Sequence, residues 1–224
     1  MAIVVLGNGL VGSEFIRQTG WDCIARDKHG FDIRKMGVFD PFLRCYDTII
    51  NCIGFVDDYH DRQRNWETNW LPVIDLVEWC NANDKKLVHM SSDCVYRGRA
   101  PFASETDVPV HENNWYAYTK LLADGYVQAR AHNYLMVRIT LKGRPFPFDV
   151  VHDRIGNFDY VDKVVSLIVR LIKMDAYGVY NVGTAPKRLL TLARETKPTI
   201  ETNGDEPQDY TMNLDKMKAM LSHE

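Results

Sequence analysis

The chain has no cysteine pair at CxxC spacing, and its five cysteines, at positions 23, 45, 52, 80 and 94, are odd in number. No histidine cluster stands at ligand spacing either. The pattern argues against a disulfide framework and against any metal site, and it makes a reducing cytoplasm the default compartment. An excess of one charge is also missing. Lys and Arg number 27 against 30 Asp and Glu, a net charge of −3, so the basic footprint of a nucleic-acid binder is lacking. No apolar run approaches the roughly 20 residues that span a bilayer, so no membrane partner is expected. Residues 1–6 lack a basic n-region and a cleavage site, and read as a strand and not as a signal peptide. Repeats and low-complexity tracts are absent. What remains is an ordinary globular composition, 46% hydrophobic over 224 residues, enough for one domain with a full core and at most a small appendage.

Within that composition, apolar runs alternate with helical patterns. Ile3–Leu6 leads into Gly7-Asn8-Gly9-Leu10-Val11-Gly12 and then a helical stretch from Ser13 to about Thr19. Residues 23–25, 46–54, 86–90 and 134–139 read as further strands. Trp66, Trp70, Val73, Ile74 and Val77 recur at helical spacing over 64–82 despite Pro72, and another helix runs from Tyr116 to about His132. Strands apolar along their whole length, alternating with helices, predict a parallel sheet covered on both faces. After residue 140 the rhythm weakens. Residues 143–148 are irregular, 161–174 helical and 179–182 a short strand, and 207–222 read as a closing polar helix.

The glycines sit between a first strand and a first helix, where they let the backbone turn tightly and approach a pyrophosphate on the helix N-terminus. A dinucleotide site also needs an acidic residue about 20 positions on, at the end of the second strand, and Asp27 meets that need. Asp27 favours NAD, whereas Arg26 would pair with the 2′-phosphate of NADP; the residues leave both open. Further along, Ser92 ends a strand and Tyr116 opens a helix, with Lys120 four positions later on the same helical face. An ammonium beside a phenol lowers the tyrosine pKa, which suits Tyr116 to general acid–base work. Tyr118 has Leu122 in place of such a partner and reads as packing. Cys94 reads as a small buried residue, the tryptophans as packing, and Glu105, Thr106 and Asp107 as solvated loop. His111 and His152 read as surface residues.

Together these segments resemble the extended short-chain dehydrogenase/reductases, and within them the dTDP-4-dehydrorhamnose reductase group. The match runs in order through Gly7–Gly12, Asp27, Phe31-Asp32-Ile33, Asp47 to Gly54, and Asn69. It continues through Ser91-Ser92-Asp93-Cys94-Val95-Tyr96-Arg97-Gly98, Pro101-Phe102 with Glu105, Asp107 and Pro109, and Tyr116-x-x-x-Lys120. The resemblance implies an α/β fold, a Rossmann-type doubly wound parallel sheet with a small, shortened C-terminal substrate lobe. The NAD(P)-binding domain would occupy 1–140, and the lobe 141–224 would pack on it. It implies a cytoplasmic enzyme that reduces a nucleotide-activated 4-keto-6-deoxy sugar with NADP or NAD, NADP slightly preferred.

Ser92, Tyr116 and Lys120 would be catalytic. The cofactor would meet Gly7, Asn8, Gly9, Leu10, Val11, Gly12, Arg26, Asp27, Asp32, Ile33, Cys52, Ile53, Gly54, Asn69, Tyr116 and Lys120. The substrate would meet Asp93, Cys94, Val95, Tyr96 and Arg138. A homodimer through the 64–82 and 116–132 helices is implied as well. The sequence departs from the group in a glycine turn one residue shorter, in Cys94 where tyrosine is frequent, and in a short region after Arg138. Dehydratases of the wider superfamily carry an acidic pair after the hydroxyl residue; here Asp93 stands without an adjacent Glu, which favours reduction. The rival readings are an epimerase or dehydratase, and a non-catalytic dinucleotide-binding subunit of the kind that accompanies methionine adenosyltransferase.

Overall fold

Six short runs, most of them buried along their length, build the central sheet: β1 (Ile3–Leu6), β2 (Asp22–Ile24), β3 (Thr48–Asn51), β4 (Lys86–Ser92), β5 (Tyr134–Ile139) and β6 (Gly178–Val182). In the computed structural model, which describes residues 2–35, 37–96, 101–107, 113–204 and 206–223, they lie in the order β6-β5-β4-β3-β1-β2 with every pair parallel. Arg97, Gly98, Pro109 and His111, singled out above, fall outside the described residues. This is the doubly wound sheet expected from the alternating pattern. The strand order reverses between β1 and β3, and their carboxyl ends open the crevice where such sheets bind ligands.

Helices α1 (Leu10–Thr19), α4 (Val161–Lys173) and α6 (Asp215–Leu221) cover one face, burying Phe15, Val165, Ile168 and Met217. Helices α2 (Leu71–Ala82) and α3 (Trp115–Arg130) cover the other through Val73, Leu76, Val77, Ala123 and Val127. At its start, α3 is capped by the Asn114 side chain, which accepts from the Ala117 N–H at 2.8 Å. Ahead of α2 come a helical turn, Arg62–Asn65, and a π-helical turn, Trp66–Trp70. The wider turn, closed by the Leu71 N–H on the Trp66 carbonyl, makes room for the Pro72 ring, which would clash with a regular preceding turn. The helix expected over 64–82 therefore survives its proline.

Beyond residue 140 the chain divides between sheet and lobe. β6, α4 and α6 join the main sheet, whereas Phe146, Phe158, Tyr160, Leu189, Leu192 and Ile200 form a small separate core around the helix α5 (Leu189–Arg194). The polar helix expected over 207–222 is shorter: only Asp215–Leu221 is helical, and Gln208–Asp209 pairs instead with Arg154–Gly156. Tertiary strand pairing overrides the local pattern there. Among the described residues no helix is long and apolar enough to cross a membrane.

Candidate active site

At the carboxyl end of β1 the chain turns through Gly7 (φ 90°) into α1, whose N-cap Gly9 offers no side chain to the first-turn N–H groups. A Cβ on Gly12 would stand 2.0 Å from the Gly7 carbonyl oxygen, so the turn closes only on glycine. A Cβ on Gly9 would meet nothing within 4 Å. That open cradle before a helix N-terminus fits a pyrophosphate. The Asn8 side-chain amide donates to both Asp27 carboxylate oxygens, at 3.0 and 2.9 Å, and this bond holds the Asp27 carboxyl below its ordinary range. Arg26 is exposed beside it. Asp32 is gripped by the Arg34 guanidinium at 2.9 and 2.6 Å, which lowers its pKa to about 2, and Ile33 is buried in the core. Across the crevice, Cys52 and Ile53 are half-buried and Gly54 is exposed.

Ser92 and Tyr116 face one another at the end of β4, near enough for the Ser92 hydroxyl to act on the Tyr116 phenol, while the Ser92 hydroxyl itself donates to the Asp93 carboxylate at 3.3 Å. The 3₁₀ turn Asp93–Tyr96 folds back so that the Ser92 Oγ accepts from the Cys94 N–H at 3.2 Å. Lys120, one turn along α3, sends its Nζ to the Met90 carbonyl at 2.7 Å and lies close to Gly54, where a Cβ would stand 3.8 Å from the ammonium. Burial lowers the Lys120 pKa. The three residues proposed for catalysis therefore converge, but their electrostatics differ from expectation. Burial dominates Tyr116 and holds its phenol well above the ordinary value; the Cys94 thiol pushes the same way and the Ser92 hydroxyl opposes. The expected acidification by Lys120 does not prevail, because burial sets the Tyr116 phenol.

A model of the NAD dependent epimerase/dehydratase family matches residues 3–147. The chain belongs to this family. It is thereby an NAD(P)-dependent enzyme of the extended short-chain dehydrogenase/reductase type. Solved structures are alike over nearly the whole chain. A hypothetical dTDP-4-dehydrorhamnose reductase from Sulfolobus tokodaii superposes with a TM-score of 0.83 at 19% identity, covering 99% of this chain and 95% of that one. The dTDP-4-dehydrorhamnose reductase of Bacillus anthracis in complex with NADP gives 0.79 at 20% identity, covering 97% and 92%. The UDP-glucuronic acid 4-epimerase of Bacillus cereus in complex with NAD gives 0.80 at 17%, covering 100% and 93%. At such identities the likeness is one of fold, and it extends through the C-terminal lobe that the family model leaves out. No curated protein sequence matches the chain.

Within this epimerase/dehydratase frame, four of the five residues expected to face a substrate do not do so. Cys94, Val95, Tyr96 and Arg138 are all buried. The Arg138 guanidinium takes both oxygens of the fully buried Asp124, at 2.9 and 2.7 Å, and also donates to the Tyr96 hydroxyl and the Glu105 carbonyl. Tyr96 in turn donates to Asn181 at 3.0 Å, whose backbone N–H donates to the Glu105 carboxylate at 2.8 Å. Desolvating a guanidinium demands acceptors of this kind, and four of its five N–H groups are taken up inside the protein. Glu105 is thus tied into the interior and is not the solvated residue its loop suggested. Of the five, Asp93 alone stays partly exposed.

Asn69 is likewise committed to the protein: its Oδ1 accepts from the Phe55 N–H at 2.7 Å and its Nδ2 donates to the Phe55 carbonyl at 3.0 Å. Beneath Lys120 lies His89, buried with Asn51 3.4 Å from its Nδ1; among the described residues its Nε2 has no partner, and burial followed by the Lys120 charge keeps the ring neutral. Sequence reasoning missed Tyr59 as well, whose ring lies 5.1 Å from that of Tyr116. It stands in an aperiodic polar loop, where no local signal marks it. A cavity of about 470 Å³ between Phe102, Leu167, Pro186 and Met217 is separate, and none of the catalytic candidates lines it.

Proposed function

We propose that the protein is an NAD(P)-dependent reductase of a nucleotide-activated 4-keto-6-deoxy sugar. The observation that carries the reading is the Ser92 hydroxyl facing the Tyr116 phenol at the carboxyl end of β4, with Lys120 one helical turn behind it. Gly7–Gly12 would hold the pyrophosphate, Asp27 with Arg26 the adenosine end, and Lys120 the nicotinamide ribose. A bound dihydronicotinamide supplies the hydride to the carbonyl carbon. Ser92 donates a hydrogen bond to the carbonyl oxygen, and Tyr116 gives that oxygen its proton as charge develops on it. Water then returns a proton to Tyr116. A phenol raised by burial stays protonated through neutral pH, which suits it to the donor role that reduction requires. Asp93 without an acidic neighbour supports reduction over dehydration.

Purified protein given NADPH or NADH and a dTDP-4-keto-6-deoxy sugar is expected to oxidise the cofactor. Tyr116→Phe should lower kcat by about 10²–10⁴-fold while binding cofactor normally. Undiminished turnover in that variant would remove Tyr116 from the mechanism. The lobe around Phe146, Phe158 and Tyr160 is the part of 141–224 we assign to the sugar-nucleotide, and the aromatic face of the Trp66–Trp70 turn and α3 is assigned to a second copy of the chain.

A further inference from the structure

Residues 55–61 run from β3 towards α3 without secondary structure, yet they are firmly held. Asn69 brackets Phe55 at both its N–H and its carbonyl. Asn65, fully buried, donates through its Nδ2 to the carbonyls of Asp58 and Asp61 at 2.8 and 2.7 Å and accepts from Asn69 at 3.0 Å. The tip of the loop then docks on the catalytic helix, where the Tyr59 carbonyl accepts the Trp115 and Tyr116 N–H groups at 2.9 and 3.3 Å. These are first-turn donors of α3 that would otherwise lack a partner.

The Tyr59 side chain follows from that docking. Its ring lies against the Tyr116 ring with centroids 5.1 Å apart and planes inclined by 33°, while the residue is 47% exposed. Among the described residues its hydroxyl makes no hydrogen bond. Packing and loop anchoring therefore place the ring, and its own polar group does not. We propose that Tyr59 is a positioning residue for Tyr116, its ring fixing the rotamer in which the phenol meets Ser92 and excluding water from one face. The proposal rests on the reading of Tyr116 as proton donor.

The groups facing that phenol are the Cys94 thiol and Asp93 carboxylate from the turn after β4, the Ser92 hydroxyl and Tyr59 from the loop; Lys120, one turn along its own helix, turns its ammonium to the Met90 carbonyl. Removing the Tyr59 ring admits water, so the Tyr116 phenol ionises at lower pH. As proton donor it then loses its proton earlier, and the alkaline limb of the reduction moves to lower pH.

The test uses full-length protein, loaded with cofactor and carrying tyrosine labelled with carbon-13 at Cζ, as wild type, Tyr59→Phe and Tyr59→Leu. Tyr116→Phe identifies the Tyr116 signal by its loss. In Tyr59→Leu the Tyr116 titration is expected to begin about one pH unit lower, a tenfold change in ionisation constant. The kcat for the keto sugar should fall about tenfold, with cofactor affinity and melting temperature near wild type. Tyr59→Phe should behave as wild type in each. A Tyr59→Leu protein whose Tyr116 titration and alkaline limb coincide with wild type overturns the proposal. Full turnover in Tyr116→Phe, or none in wild type, overturns the functional reading instead, and the titration still decides the role of Tyr59.

Discussion

Gly9 and Gly12 are the same residue type three positions apart, yet the structure asks different things of them. Gly12 is needed by the fold, because any Cβ there runs into the Gly7 carbonyl oxygen at 2.0 Å. Gly9 has φ −69° and open space where a Cβ would point, so alanine fits the folded chain and fills only the cradle. Gly12→Ala is expected to cost about 1–3 kcal/mol of stability and to abolish cofactor binding. Gly9→Ala should melt like wild type while its Kd for NADPH, read by fluorescence titration, rises at least about tenfold. Equal effects from the two variants would contradict the assignment of the cradle. The glycine spacing was legible in the sequence; which glycine serves the turn and which the ligand was not, because that depends on where Gly7 places its carbonyl.

β5 and α3 are tied to one another by the Arg138–Asp124 pair, whose side chains are 1% and 0% exposed. Ser91 from β4 adds a hydrogen bond to Asp124 at 2.8 Å, so two strands and α3 share a single carboxylate. Breaking such a buried pair strands the opposite charge. Asp124→Leu is expected to lose about 3–5 kcal/mol in denaturant unfolding, and the double variant Arg138→Met, Asp124→Leu should lose less than that single change. A double variant less stable than Asp124→Leu would show that the network acts by more than charge pairing. Period and apolar content announced every strand of the main sheet, and also α3. They did not announce that Arg138, near the end of an apolar strand, turns inward to Asp124. An arginine at a strand end near a site reads as a ligand contact until its partner across the sheet is known.

For the whole molecule, the surface of the Trp66–Trp70 turn and α3 stands out. Trp66, Trp70, Trp115, Tyr118 and Tyr126 are half-buried and form a chain of ring contacts, with centroids 6.5, 6.5, 5.8 and 5.6 Å apart, beside an exposed Leu71. Sedimentation of the wild type is expected to give roughly twice the 25.9 kDa chain mass. Trp66→Glu with Tyr118→Glu should give a monomer, and a wild type that sediments as a monomer at micromolar concentration would overturn the dimer. By itself the sequence determined the parallel sheet, the glycine turn with Asp27, and the chemical identity of Ser92, Tyr116 and Lys120. Those features rest on periodicity and on residue type at fixed local spacing. Only the tertiary structure decided which polar residues face the crevice and which are consumed inside, that burial raises the Tyr116 phenol, and that the Tyr59 ring lies against it. Desolvation and partner choice are properties of neighbours distant in the chain, and no local pattern encodes them.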